Sequence, residues 1–227
     1  MPVWGLLAAA YLTGFTVVTV TAAPEVASAL TITDALIERF GLLIIIVLGE
    51  ILTSVVAGLT SQPVGALTIT VGLVAVVIGF GAWWTYFDFA GHRPPRPGTT
   101  AGVQWMLSHL PLTAAVAAMG AAMVSLVDHA DDSRAPAAAA WVVCAGAAVV
   151  LAAAMLVAAS LQAWDTERDV YRPLARTCAG VAVACLVLGA FRPPPLALGL
   201  GLVILLSIPR VLAVARRVAG GDEAPIE

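Results

Sequence analysis

The chain contains no lysine: all eleven of its basic residues are arginine. Schiff-base chemistry and lysine-dependent covalent catalysis both require a lysine amine. The absence therefore excludes a retinal-linked opsin and a pyridoxal-phosphate enzyme. The first exclusion is useful because the chain carries seven apolar stretches, the number of helices that an opsin has.

Charged residues and cysteines are also scarce. Only 11% of the residues are charged, and the three cysteines fall inside apolar runs without the spacing of a metal site, so burial as small hydrophobic side chains is expected. No glycine-rich phosphate loop, HExxH, GxSxG or aspartate-rich metal motif is present. The sequence therefore predicts no cofactor, no metal and no nucleic-acid partner.

Apolar residues dominate instead. They make up 61% of the 227 residues, and the mean hydropathy is +0.99, far outside the range of soluble proteins. This composition predicts an all-α polytopic transmembrane bundle, a single membrane domain over residues 1–227 whose surroundings are the lipid bilayer. The predicted helices are 3–22, 35–60, 64–87, 104–127, 137–162, 174–191 and 196–215.

The first and last predicted helices raise separate questions. The stretch 3–22 has no basic residues before it and is long for a signal peptide, so we expect it to be retained as a helix. The last two stretches are separated only by a short turn ending at Pro195, which leaves open a helical hairpin that does not cross.

The distribution of arginine predicts the orientation. Nine arginines lie on one side of the predicted topology and two on the other. Because cytoplasmic loops carry the excess of basic residues, we expect the N-terminus outside and the C-terminus in the cytoplasm of a bacterial inner (plasma) membrane.

Glu50 is the most informative polar residue. It follows Glu38 by twelve residues, which places it about 18 Å deep in the second predicted helix. An ionisable group at this depth costs several kcal/mol unless it meets a partner or water, which favours a functional site over a structural hydrogen bond. Gly49 predicts close approach of another helix. Helical periodicity puts Glu50 on one interior-facing stripe with Arg39, Ile46 and Ser54.

A second group of polar residues is predicted at the cytoplasmic mouth. The third predicted helix ends at Asp88, at the level of Glu38 and Arg39, and an ion-pair cluster of these three residues is expected to lock the helices. Trp84 shares a face with Asp88 and is a candidate lining residue, although a membrane-interface belt explains the tryptophans as well.

His109 is the third candidate. It lies about 8 Å inside the cytoplasmic surface, beside Pro111, which is expected to kink its helix. A histidine in this place could relay protons, or it could be hydrogen bonded to a neighbouring carbonyl for packing alone. Together Glu50, His109 and Ser54 form the predicted intramembrane polar site.

Three segments resemble a known family. The segments 38–50 (ERFGLLIIIVLGE), 83–88 (WWTYFD) and 108–112 (SHLPL) are similar in order and spacing to the bacterial low temperature requirement A family, across residues 34–127. Members usually carry a histidine where this chain has Ala35, and they tend to have an earlier membrane half that is missing here. The resemblance therefore implies a short form or the C-terminal portion, and it implies no established biochemical activity.

Three functions remain open at this stage. The leading hypothesis is a transporter or channel-like protein that binds a proton, a cation or a polar solute at Glu50. A membrane-embedded lipid-modifying enzyme would use Glu50 or His109 as acid or base but lacks a recognisable nucleophile. A structural or interaction subunit would use the polar residues for packing, as a homo-oligomer or with a partner that supplies the missing half.

Overall fold

The computed structural model describes Val17, residues 32–61 and residues 65–221, with side chains for all but Ser61, Thr99 and the end of the last helix. All regular elements in these ranges are helices, as predicted. Apart from Val17, the predicted helix 3–22 lies outside the described residues. The helices are α1 (Asp34–Ser61), α2 (Ala66–Phe89), α3 (Thr99–Asp128), α4 (Ala137–Ala159), α5 (Ala163–Thr166), α6 (Arg168–Phe191) and α7 (Pro195–Gly221).

Six of these helices are long and apolar enough to cross a membrane, which makes the chain a multi-pass membrane protein. They include both helices of the last hairpin. Two begin earlier than predicted, α3 at Thr99 and α6 at Arg168. Their first turns are polar and escape a prediction based on apolar runs. Gly98 marks the start of α3, because its φ of 118° is one that residues other than glycine rarely adopt.

The six long helices form a closed ring in the order α1, α3, α4, α6, α7, α2. Helix α4, rich in alanine, also reaches α2 and α7 across the ring, and it is the most buried of the six. Small residues make this possible: Gly189 of α6 lies against Cys144, and Gly146 lies against Met119 of α3. Helix α4 is therefore the scaffold of the bundle, since small residues let helix backbones approach closely in lipid.

Two loops, 90–98 and 160–167, meet at the end of the bundle that carries Arg93, Arg96 and Arg168, which we call the arginine-rich end. The Arg96 amide donates to the Ser160 carbonyl at 2.8 Å, and its guanidinium donates to the Ala159 carbonyl and, at 3.0 Å, to the Asp165 carboxylate. Hydrogen bonds from Arg168 and Arg96 lower the pKa of Asp165. The predicted orientation requires these loops to share one side of the membrane, and the fold is consistent with it.

Helices α1 and α3 run parallel and share levels along the bundle. Ile32 lies beside Gly102 near their beginnings, and Gly58 lies beside Val127 near their ends. Helix α2 runs antiparallel to both, with Gly79 against Ile51 of α1. This register fixes the relative depth of every polar side chain discussed below.

Candidate functional site

Glu50 lies near the middle of α1, sixteen residues after its first residue, or about 24 Å along the axis. Its side chain is exposed on the outer surface of the described bundle. No cation or hydrogen-bond donor pairs with it among the described residues, and Arg39 is eleven residues away, about 16 Å along the axis. Glu50 therefore lies near the middle of α1, and it faces outward.

The interior-facing stripe predicted around Glu50 is wrong. Ile46 is 71% exposed, Arg39 is exposed as well, and only Ser54, at 5%, is buried. The buried face of α1 consists instead of aliphatic residues such as Ile44 and Ile51. A stripe calculated from helical periodicity shows which residues share a face but not which way that face points.

Helix α3 approaches Glu50 at Gly120. A Cβ atom added to Gly120 would lie 3.4 Å from the Glu50 Cγ and 3.3 Å from the Ile51 amide nitrogen. By contrast, a Cβ added to Gly49 would meet nothing within 4 Å. The close approach predicted at Gly49 is thus found one residue further on, and the glycine that permits it belongs to the other helix.

A long groove between α1 and α3 leads to this point. Its volume is about 680 Å³, and its walls are apolar apart from Thr113. The lining includes Val47 and Ala117, each three residues before Glu50 and Gly120 respectively. Glu50 does not itself line the groove, but it lies on the same helix face about one turn beyond the last lining residues. The groove is lined by Leu43, Val47, Leu107, Leu110, Pro111, Thr113, Ala114 and Ala117.

His109 is buried in an aromatic cluster, 1% exposed. Its Nδ1 lies 2.7 Å from the Trp105 carbonyl, and its Nε2 lies 2.9 Å from the Tyr86 hydroxyl. A carbonyl can only accept, so Nδ1 carries the proton, and in a neutral ring Nε2 then accepts from Tyr86. Phe40 packs against the same ring at 4.7 Å between centroids. Both ring nitrogens are occupied, which corresponds to the packing interpretation of this histidine.

The predicted intramembrane site is not one site. His109 packs at the level of Phe40, whereas Glu50 packs at the level of Gly120. The eleven residues from His109 to Gly120 correspond to about 16 Å along α3. Ser54 is buried one turn beyond Glu50. Glu50 and His109 therefore act separately if both act.

Asp88 has a different partner from the one predicted. Its Oδ2 lies 3.9 Å from the Nε of Arg210 on α7, and the Arg210 guanidinium stacks on Trp84, with Cζ 3.0 Å from the ring centroid. Glu38 and Arg39 are exposed, and no ion pair joins either to Asp88 in the described ranges. The charge cluster at this end thus links α2 to α7 and not to α1.

Sequence reasoning missed Arg210, Tyr86 and Trp105 as members of these clusters. Arg210 was counted only for the orientation, because nothing in the sequence shows that α7 packs beside α2. The spacing of four residues between Trp105 and His109 was a usable signal, since it places them on one helix face. Tyr86 falls within the WWTYFD segment and could have been recognised as a hydrogen-bond donor.

Comparison with known proteins gives one match. The family model described as Bacterial low temperature requirement A protein (LtrA) matches residues 2–214, well beyond the segments 34–127 that carry the sequence resemblance. Neither the curated proteins nor the solved structures contain a match to this chain.

Proposed function

The chain belongs to the bacterial low temperature requirement A family, and we propose that it is a transporter or channel-like protein that binds a proton, a cation or a small polar solute at Glu50. The observation that carries this proposal is an acidic side chain near the middle of a helix that is long and apolar enough to cross a membrane, with no partner among the described residues. A carboxylate in hydrocarbon is costly, so it needs a proton, a cation, water or a polar partner to be stable there.

The surroundings of Glu50 support a binding role over a packing role. The Thr53 hydroxyl is used within α1, where it donates to the Gly49 carbonyl at 3.1 Å, so it does not satisfy the carboxyl. A carboxyl kept only for packing would be expected to hydrogen bond across a helix interface, as the Tyr86 hydroxyl does with His109. Glu50 is exposed instead, about one turn beyond the groove between α1 and α3, so a ligand can reach it.

Proton flux into vesicles tests the proposal. The purified chain is reconstituted with an internal pH dye, and a potassium gradient with valinomycin provides the driving force. Glu50→Gln keeps the size of the side chain and removes the charge, so flux should fall to the level of empty vesicles. Glu38→Gln is the matched control, because Glu38 is an exposed carboxylate on the same helix. Sodium and potassium flux are measured in the same way. Undiminished flux of all three ions in Glu50→Gln would refute the proposal.

A second candidate is an interaction subunit. The exposure of Ile46 and Arg39 beside Glu50 favours it, because this face of α1 is not covered by the described helices. A second copy, or a partner that supplies an earlier membrane half, would then bind there. Since the three native cysteines are buried, Ile46→Cys provides a single accessible thiol for crosslinking in membranes. Crosslinked dimers would support this candidate, and a purely monomeric product would count against a second copy.

Residence in the bacterial inner membrane is part of the same proposal. The two loops at the arginine-rich end would face the cytoplasm, as the excess of basic residues favours. Accessibility of single cysteines placed at Arg172 and at Arg134 to an impermeant maleimide in whole cells tests this. Labelling at Arg134 alone is the expected result, and labelling at Arg172 alone would reverse the orientation.

A further inference from the structure

Arg210 carries an unsatisfied donor next to a cavity. Its Nη1 is buried and has no hydrogen-bond partner in the described part of the chain. Its closest ionic contact is long, 3.9 Å from Nε to the Asp88 carboxylate. A buried guanidinium N–H without an acceptor is unfavourable, because charged donors cost more than neutral ones to leave unpaired. The Arg210 side chain is nevertheless 35% exposed and lines the cavity, so an acceptor that the chain itself does not supply can approach the guanidinium from there.

The cavity beside Arg210 lies between α2 and α7 and has a volume of about 260 Å³. Its charged lining residues are Arg210 and Asp88. The hydroxyls of Thr85 and Ser207 donate to carbonyls of their own helices, at 2.8 Å and 2.7 Å, so their protons are already used. The Arg210 guanidinium and the Asp88 carboxylate, side by side, are the charged groups that remain to hold a ligand.

An apolar slot continues from this cavity along the same two helices. It has a volume of about 150 Å³ and shares Trp84 and Ser207 with the cavity. Beyond them its lining is apolar and includes Val77, Phe80 and Val203. On α2 the slot is lined from Trp84 back to Val77, seven residues earlier, so it extends about 10 Å towards the middle of the bundle.

We propose that this cavity and slot bind a phospholipid with a zwitterionic ethanolamine headgroup. The phosphate accepts from Arg210, the ammonium group contacts the Asp88 carboxylate, and the beginning of an acyl chain occupies the slot. The combination of a charged end and an apolar continuation matches a lipid better than a soluble phosphate ester. Trp84 completes the match, because tryptophan is enriched at the depth of lipid headgroups.

Native mass spectrometry of the full chain tests the site. The protein is released from micelles supplemented with phosphatidylethanolamine, phosphatidylcholine or phosphatidylglycerol, and retained lipid is counted. We expect one phosphatidylethanolamine to be retained, and retention about tenfold weaker in Arg210→Gln, since a charge-assisted hydrogen bond is worth about that factor. Arg172→Gln, an exposed arginine at the same end, is the matched control and should bind normally.

Two further variants separate lipid binding from folding and assign the headgroup. Ser207→Trp fills the junction of cavity and slot from an exposed position without removing a charge, and it should abolish retention while leaving thermal stability unchanged. Asp88→Asn should remove the preference for phosphatidylethanolamine over phosphatidylglycerol. Equal retention in wild type, Arg210→Gln and Ser207→Trp would overturn the site. If millimolar inorganic phosphate or phosphoethanolamine displaced the lipid, the proposal that a lipid occupies the site would be wrong. If the wild type retained all three lipids equally, the assignment of an ethanolamine headgroup would be wrong.

Discussion

Replacing Tyr86 by phenylalanine removes one hydroxyl from the buried aromatic cluster and leaves its shape unchanged. The hydroxyl is the donor to the His109 Nε2 at 2.9 Å, and His109 is 1% exposed. Phenylalanine leaves that nitrogen without a donor in a region that water does not reach. The substitution therefore isolates the value of one interhelical hydrogen bond between α2 and α3.

Two ranges of hydrogen-bond free energies bound the expected loss of stability. A buried acceptor left unpaired costs about 1–3 kcal/mol in soluble proteins. Hydrogen bonds between membrane helices average about 0.6 kcal/mol and reach about 1.7 kcal/mol, because the unfolded chain in lipid also finds partners. The almost complete burial of His109 puts this bond near the top of the second range. We expect Tyr86→Phe to lower the free energy of unfolding by about 1–2 kcal/mol.

Reversible unfolding in mixed micelles measures this free energy. His109→Phe and the double variant complete a double-mutant cycle with Tyr86→Phe. In the His109→Phe background, Tyr86→Phe should lower the free energy of unfolding by about 1 kcal/mol less than it does in the wild type. If the two substitutions add without coupling, or if Tyr86→Phe changes the free energy by less than about 0.3 kcal/mol, the hydrogen bond does not stabilise the cluster as argued.

Three other predictions follow from the packing and the loops. Gly146→Ala should lower the free energy of unfolding by about 1–3 kcal/mol, because the new Cβ would overlap the Met119 Cγ. Gly180→Ala, where a Cβ meets nothing within 4 Å, should not destabilise, and equal effects of the two substitutions in the same unfolding assay would contradict the packing. The three cysteines should resist maleimide in the folded protein and react after denaturation in dodecyl sulfate, since none is more than 1% exposed. Rapid labelling of the folded form would contradict their burial. Asp165→Asn should speed hydrogen exchange at the Arg96 and Gln162 amides, because it weakens the contacts that Arg96 and Arg168 make with this carboxylate. Since the pKa of Asp165 is lowered, these ion pairs are present at neutral pH and are lost as the pH falls through that lowered value. Unchanged exchange in the variant would contradict this role of Asp165.

The helices could be predicted from the sequence, but the directions of their faces could not. An apolar run of about 20 residues predicts a spanning helix because the bilayer thickness requires that length. In α1, however, the buried Ile44 and the exposed Ile46 are the same residue type. Where lipid covers one face and protein the other, both faces are apolar, and hydrophobicity does not distinguish them.

The partners of the polar residues depended on helix order, which the sequence does not contain. Asp88 and Arg39 were expected to pair because α1 and α2 are consecutive in the chain. Both α1 and α7 lie beside the end of α2, but Phe87 is the residue that packs against α1, at Gly41, whereas Asp88 meets Arg210 of α7. The hydrogen bond between Tyr86 and His109 joins α2 to α3, and it too depends on which helices are neighbours in the bundle. The position of each residue along its helix was predictable, because it follows from counting residues.

The proposed role of Glu50 is tested most directly by titrating its carboxyl with a hydrophobic carbodiimide in the reconstituted vesicles. Modification at Glu50 is counted by mass spectrometry of the digested protein, and ion flux is measured on the same samples. The account predicts that flux falls in proportion to the fraction of Glu50 modified and that the Glu38→Gln control behaves identically. Full flux in vesicles whose Glu50 is completely modified would contradict it.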